Sequence, residues 1–202
     1  TQFGWRPTNF FATAGLILFL SLVQATYQQT YRDALTGIPG RIAYEEATAQ
    51  LGGKFAMAVL AIDQLKTYAG THGKPVVEQI LKLAATKVQA ACQAGRVFRV
   101  SGEELTLLFS RQSAVETLVE LENIRKSVAS TSLYLRDGQR IWDNSRGAAT
   151  PGRNDQELSM TASVGVADSG TEGATLSMVI KAAYRALYEA KAGGGNAVKR
   201  GA

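Results

Sequence analysis

Residues Phe55–Ile62 read FAMAVLAI, eight apolar residues in series with no polar alternation. A run of that kind and length fits a strand covered on both faces, so the chain must also supply helices for two sides of a sheet. Helical candidates are present. Ile42–Leu51 ends at Gly52-Gly53, Val76–Ala94 carries Val77, Ile80, Leu81, Leu83, Val88 and Ala91 at helical spacing, Val115–Val128 places Leu118, Leu121 and Ile124 on one face, and Leu176–Lys191 closes at Gly193-Gly194-Gly195. Further strands are expected at Arg96–Val100 and Leu105–Phe109, joined by the tight turn Ser101-Gly102-Glu103-Glu104, and at Ser132–Leu135 and Met160–Ala167. Asn144–Glu157 is polar with Gly and Pro and reads as a mobile loop. Strands mixed with hairpins and helices give an α+β class, a sheet with helices on its faces.

Ahead of this domain lies Phe10–Val23, FFATAGLILFLSLV, which carries no charge. With Gln24, Ala25 and Thr26 it approaches the ~20 residues needed to cross a bilayer, and a membrane span is the expectation; a signal peptide and a helix buried in an oligomer are the rivals. Tyr27–Arg32 stays helical in character, and Asp33–Gly40 (DALTGIPG) is turn chemistry. The expected division is therefore a transmembrane or signalling helix over 1–32 and a domain over 33–202. Small residues Ala12, Ala14, Gly15 and Ser21 would let two such helices approach closely, so a homodimer is expected. The net charge of +5 comes from scattered Lys and Arg with no block, which argues for a solvated surface and against a nucleic-acid footprint. The lone Cys92 allows no internal disulfide and, within an apolar-periodic stretch, is expected to be a core thiol. His72, the only histidine, lacks Cys or His partners nearby and is expected to be structural. Trp142 is expected to pack beside the polar loop.

Five motifs in order carry a resemblance. Asp33-Ala-Leu-Thr-Gly-Ile-Pro-Gly-Arg41, Ala61-Ile-Asp-Gln-Leu-Lys66, Arg99-Val-Ser-Gly-Glu-Glu-Leu105, Thr161-Ala-Ser-Val-Gly-Val-Ala167, and Ala183-Tyr-Arg-Ala-Leu-Tyr-Glu-Ala-Lys191 followed by Gly194-Gly-Asn196 resemble the DxLTGLxNR, DxDxFK, RxGG(D/E)EF, TxSxGxA and ADxALYxAKxxGRN segments of the GGDEF family. The match spans about residues 31 to 200. It implies a nucleotidyl-cyclase-like palm with a central, mostly antiparallel sheet, here preceded by the apolar helix. The stretch near 137–157 resembles bacterial members carrying several membrane helices before the domain. That implies an inner-membrane protein with this domain in the cytoplasm, where GTP is.

The resemblance also implies chemistry. Active members join two GTP molecules into cyclic di-GMP with Mg²⁺, which needs hard oxygen ligands. The family ligands are the first Asp of DxDxFK and the acid of GG(D/E)EF. Here the first is Ala61, whose methyl cannot ligate a metal, and the second is Glu103 with Glu104 beside it. Glu103 and Glu104 are thus the remaining catalytic and metal candidates, and Mg²⁺ binding is expected to be weak or absent. Lys66, Glu78, Ser101, Gly102 and Lys191 are the nucleotide-binding candidates. Ala69 replaces the guanine-reading Asn, Gly195 the Arg of GRN, and Cys92 and Gly95 the Arg and Asp of the inhibitory RxxD product site. The expected function is a membrane-tethered, degenerate GGDEF signalling module acting by nucleotide binding or contact with an unnamed protein partner. A working cyclase and a structural element of a membrane complex are the alternatives.

Overall fold

The computed structural model describes residues 7–100, 102–136, 140–143, 156–170 and 174–201. Its elements run α1 (Pro7–Tyr31), α2 (Arg41–Ala49), β1 (Phe55–Ile62), α3 (Leu65–His72), α4 (Lys74–Ala91), β2 (Arg96–Phe98), β3 (Glu104–Ser110), α5 (Ala114–Ala129), β4 (Ser132–Arg136), β5 (Arg140–Asp143), β6 (Gln156–Ser159), β7 (Ala162–Asp168), α6 (Leu176–Ala192) and β8 (Val198–Arg200). A five-stranded sheet has the order β2-β3-β1-β7-β8, and only the β7–β8 pairing is parallel. A second, three-stranded sheet is β5-β4-β6.

β1 takes the place its sequence demands. All eight of its residues are buried, and they divide by alternation between two cores. Ala56, Ala58, Leu60 and Ile62 pack with Ile80, Ala84 and Val88 of α4 and Leu121 and Ile124 of α5. Phe55, Met57, Val59 and Ala61 pack with Ala43 and Ala47 of α2 and Val179, Ala183 and Leu187 of α6. α5 begins with a full capping box, in which the Ser113 hydroxyl accepts from the Glu116 amide and the Glu116 carboxylate accepts from the Ser113 amide.

Several parts depart from the sequence reading. α3, β5 and β8 were not anticipated, and Gln156 and Glu157, expected in the loop, belong to β6, which pairs with β4; the remainder of that loop, 144–155, lies outside the described residues. Trp142 lies in β5 opposite Tyr134 of β4. The expected membrane span is not shown: no helix among the described residues is long and apolar enough to cross a membrane. The apolar run Phe10–Val23, within a charge-free stretch from Pro7 to Tyr31, covers 14 residues, roughly 21 Å of helix against a hydrocarbon core of about 30 Å. α1 nonetheless exposes Phe10, Phe11, Leu16, Ile17, Leu18, Phe19 and Leu20.

The turn after α1 is tied to the domain at several points. The Asp33 amide donates to Ile38 O, the Gly37 amide to Asp33 O, and the Gly40 amide to Tyr31 O. Asp33 Oδ1 accepts from the Thr36 amide (2.8 Å), the Thr36 hydroxyl (2.6 Å) and Arg99 Nη1 (2.7 Å). Arg99 also donates from Nε and Nη2 to Gly102 O, so one guanidinium joins the end of α1 to the β2–β3 turn. Burial pushes the Asp33 carboxyl up, but the Thr36 and Arg99 bonds outweigh it and hold it below the usual value. A depressed folded pKa contributes stability that is present above the unfolded carboxylate value of about 3.9 and is lost as pH falls through the folded one. Asp33→Asn is therefore expected to lower the melting temperature at pH 6, with the gap to wild type narrowing as pH falls below about 4. A gap that is constant from pH 6 to pH 2 would show that Asp33 contributes no charge-linked stability.

Candidate functional site

β1 ends at Ile62, and the chain then turns sharply through Gln64, a non-glycine residue at φ 56°, into α3. This places Asp63, Gln64, Leu65 and Lys66 along one wall of a cavity of about 470 Å³. The turn before β3 contributes Glu103, the loop before β7 Thr161, and the end of α6 Lys191, Gly194 and Gly195. Three sequence candidates, Lys66, Glu103 and Lys191, thus share one cavity although 125 residues of chain separate the outer two. Gly194 and Gly195 adopt φ 109° and 77°, conformations that glycine permits at little cost, and they present bare backbone to the cavity.

Other candidates lie elsewhere. Gly102 has φ 64°, is exposed, and uses its carbonyl to accept from Arg99. Glu78 is on α4 and sits 3.8 Å from Lys74 one turn earlier, away from the lining of this cavity. Ser101 lies outside the described residues. The expected pairing of Glu103 with Glu104 around a metal is not what the fold builds. Glu104 starts β3, and its carboxylate accepts from the Tyr184 hydroxyl of α6 at 2.7 Å. It lines a separate cavity of about 180 Å³ with Tyr44, Met57, Val59 and Tyr184. Burial and the Glu104 carboxylate push the Tyr184 phenol up to about 12, so it stays a donor. Ala61 is 3% exposed and stands directly opposite Glu104 in the β1–β3 register.

Asp63 is the site residue the sequence reading passed over. Its Oδ1 accepts from the Ser163 hydroxyl (2.7 Å), and its Oδ2 accepts from the Thr161 hydroxyl (2.8 Å) and the Asn196 amide (2.9 Å). A Cβ built on Gly195 would stand 3.0 Å from this carboxylate. Asp63 therefore acts as the clamp that closes the α6–β8 loop onto β1. The signal for it was the second Asp position of the DxDxFK-like segment. Among the described residues no group of three or more His, Cys, Asp or Glu is placed to hold a metal.

His72 ends α3 with its ring stacked on Tyr68 at 6.4 Å. Cys92 caps α4 and is half-buried; burial and neighbouring Glu120 push its thiol up to about 12. A thiol so far from ionisation is a poor nucleophile. A Cβ on Gly95 would lie 2.6 Å from the Phe109 ring, so this position is closed to any side chain without movement of the core.

The family model described as "Diguanylate cyclase, GGDEF domain" matches residues 30–197. The chain is 28% identical to diguanylate cyclase DgcP of Pseudomonas aeruginosa, over 87% of this chain and 25% of that protein. It is 29% identical to diguanylate cyclase VdcA of Vibrio cholerae, over 82% of this chain and 45% of that protein. The chain thus spans between a quarter and just under half the length of these relatives. Among solved structures, the coiled coil and GGDEF domain of DgcB from Caulobacter crescentus, bound to c-di-GMP, superimposes with a TM-score of 0.77 at 24% identity, covering 96% of this chain and 97% of that one. SiaD of Pseudomonas aeruginosa, in complex with its activator SiaC, gives a TM-score of 0.71 at 25% identity over 96% of this chain and 70% of that one.

Proposed function

This chain belongs to the GGDEF family of diguanylate cyclase domains, and from that premise we propose that it is a nucleotide-binding signalling module of a cyclic di-GMP pathway without normal cyclase activity. The carrying observation is Ala61: a buried methyl stands where the family places a metal-binding carboxylate, and the carboxylate opposite it, Glu104, is bonded to Tyr184. The donor set does not fit Mg²⁺, which needs one or two carboxylates alongside phosphate oxygens. In the larger cavity Asp63 is engaged by three protein donors, and Glu103 alone is left. What the cavity keeps for phosphate oxygens is two ammonium groups, Lys66 and Lys191, with bare glycine backbone beside them. GTP titrated into the purified protein by calorimetry tests this reading, with binding expected and lost in a Lys66→Ala, Lys191→Ala double variant. Absence of binding would leave a domain that keeps only the fold. A working cyclase is the second reading, favoured by Glu103, Lys66 and Lys191 sharing one cavity, and product formation decides it.

Feedback by cyclic di-GMP through residues 92–95 is not part of this proposal, since Cys92 and Gly95 offer no guanidinium or carboxylate and Phe109 closes the second position. Titrated cyclic di-GMP is expected to show no binding there. Micromolar affinity that disappears on changing residues 92–95 would contradict this.

The reading extends to α1. Its seven exposed large apolar residues are proposed to hold the protein at the bacterial inner membrane as a homodimer, with the domain on the cytoplasmic side. The full chain should then require detergent and cross-link as a dimer. A detergent-free monomer in sedimentation would exclude both the attachment and the pairing.

A further inference from the structure

We propose that the 470 Å³ cavity binds the polyphosphate of a nucleoside triphosphate without a divalent cation, Lys66 and Lys191 supplying the neutralising charge. The proposal rests on the nucleotide-binding reading above and specifies how that site recognises its ligand.

The argument is one of charge and available lone pairs. A triphosphate carries several negative charges that must be balanced, by a metal ion or by fixed cations. A metal ion in turn needs carboxylates free to meet it. Asp63 lines the cavity, but both of its oxygens accept hydrogen bonds from Thr161, Ser163 and the Asn196 amide. Redirecting it toward a metal would leave two hydroxyls and a backbone amide without an acceptor. Glu104 is bonded to Tyr184 and lines the other cavity. Ala61 has no ligating atom. Glu103 alone remains, and it is exposed. One exposed carboxylate is a weak magnesium site.

Against the carboxylates of Asp63 and Glu103 the cavity sets two ammonium groups. Lys66 leaves the first turn of α3, Lys191 the last turn of α6, and among the described residues neither joins an ion pair. They line the same cavity as the backbone of Gly194 and Gly195, beside which the Asp63 carboxylate is held by Thr161, Ser163 and the Asn196 amide. The cavity volume falls within the ~300–1,000 Å³ range of small-molecule sites. Two lysines attract a free triphosphate more strongly than one whose charge is already halved by bound Mg²⁺. The cation is therefore a competitor for the ligand's charge here. Glu103, facing the same cavity, repels the ligand when no metal lies between them.

The test is calorimetric titration of GTP, and of inorganic tripolyphosphate, into the purified protein in EDTA and again with excess MgCl₂. GTP affinity in EDTA is expected to equal or exceed that in Mg²⁺, and tripolyphosphate is expected to compete with GTP in EDTA. Glu103→Ala is expected to leave GTP affinity unchanged or raise it, whereas Lys66→Ala and Lys191→Ala should each weaken it by roughly tenfold. All three residues are exposed, so unchanged melting temperatures will show that the variants are folded. Affinity that Mg²⁺ improves about tenfold or more, or that Glu103→Ala abolishes, overturns metal-free recognition while leaving nucleotide binding intact. GTP binding that tripolyphosphate does not displace overturns it as well. No GTP binding in either buffer overturns both this proposal and the reading beneath it.

Discussion

Given GTP with Mg²⁺ or Mn²⁺, the purified protein is expected to form cyclic di-GMP roughly 10⁴-fold more slowly than family members that hold both metal carboxylates. The family reaction must lower the pKa of a 3′-hydroxyl and balance charge on the phosphates, and metal stabilisation supplies several kcal/mol of that work. A loss of ~5.5 kcal/mol is about four decades in rate. The structure removes the metal's support at more than one point. Ala61 contributes a methyl, its cross-strand neighbour Glu104 is bonded to Tyr184, and Asp63 is engaged by Thr161, Ser163 and Asn196. On the proposed reading base positioning is weakened too, since Ala69 has no polar side chain and Glu78 lies beside Lys74. For that reason Ala61→Asp alone is expected to remain at background: the new carboxylate would sit at a position 3% exposed, opposite an acid already bonded elsewhere. Placing Arg at Gly195 as well would force a side chain onto a residue at φ 77°, with its Cβ 3.0 Å from the Asp63 carboxylate. Chromatography after prolonged incubation measures the outcome. Several turnovers of product, abolished by Glu103→Ala, would establish a working cyclase and end the degenerate-module reading.

What could be read from the sequence followed from short-range pattern. β1 was legible because eight successive apolar residues leave few alternatives, and α6 because its apolar positions repeat at helical spacing and end at three glycines. α3 was hidden by Thr67, Gly70 and Thr71, poor helix formers in a segment of only eight residues. β6 was hidden because Leu158 is its single buried position, so no alternation marks it against the polar stretch before it. Of the site, Lys66, Glu103 and Lys191 were legible through motif spacing. The hydrogen bonds that decide its chemistry were not. Asp63 depends on partners 98, 100 and 133 residues away, and Glu104 on a tyrosine 80 residues away. No local pattern encodes whether a carboxylate will be free for a metal or engaged by the protein.

Gly165→Ala is expected to be the most destabilising single-methyl change in the domain. β7 lies between β1 and β8, and α6 crosses it so closely that a Cβ on Gly165 would stand 2.2 Å from Ala183 O, 2.2 Å from the Leu187 amide nitrogen and 2.8 Å from Leu187 Cα. All three atoms are helix backbone, so no rotamer change relieves the clash; the helix must move as a unit. Movement of α6 would separate Val179, Ala183 and Leu187 from Met57, Val59 and Ala61 and disturb the Tyr184–Glu104 bond. Overpacking in a core costs typically 1–3 kcal/mol, and a backbone clash belongs at or above the top of that range. At about 2–4 °C per kcal/mol for a domain of this size, a fall in melting temperature of roughly 10 °C is expected. Two other glycines give the comparison. Gly95→Ala meets the Phe109 ring at 2.6 Å, where a side chain has some room to yield, and should cost less. Gly102→Ala meets nothing within 4 Å and should cost only the ~1–2 kcal/mol of a left-handed backbone. The three variants should therefore melt in the order Gly165→Ala, Gly95→Ala, Gly102→Ala, followed by circular dichroism. If Gly165→Ala melts within a degree or two of wild type, the close seat of α6 on β7 is wrong, and with it the placement of Lys191 in the cavity that Lys66 lines.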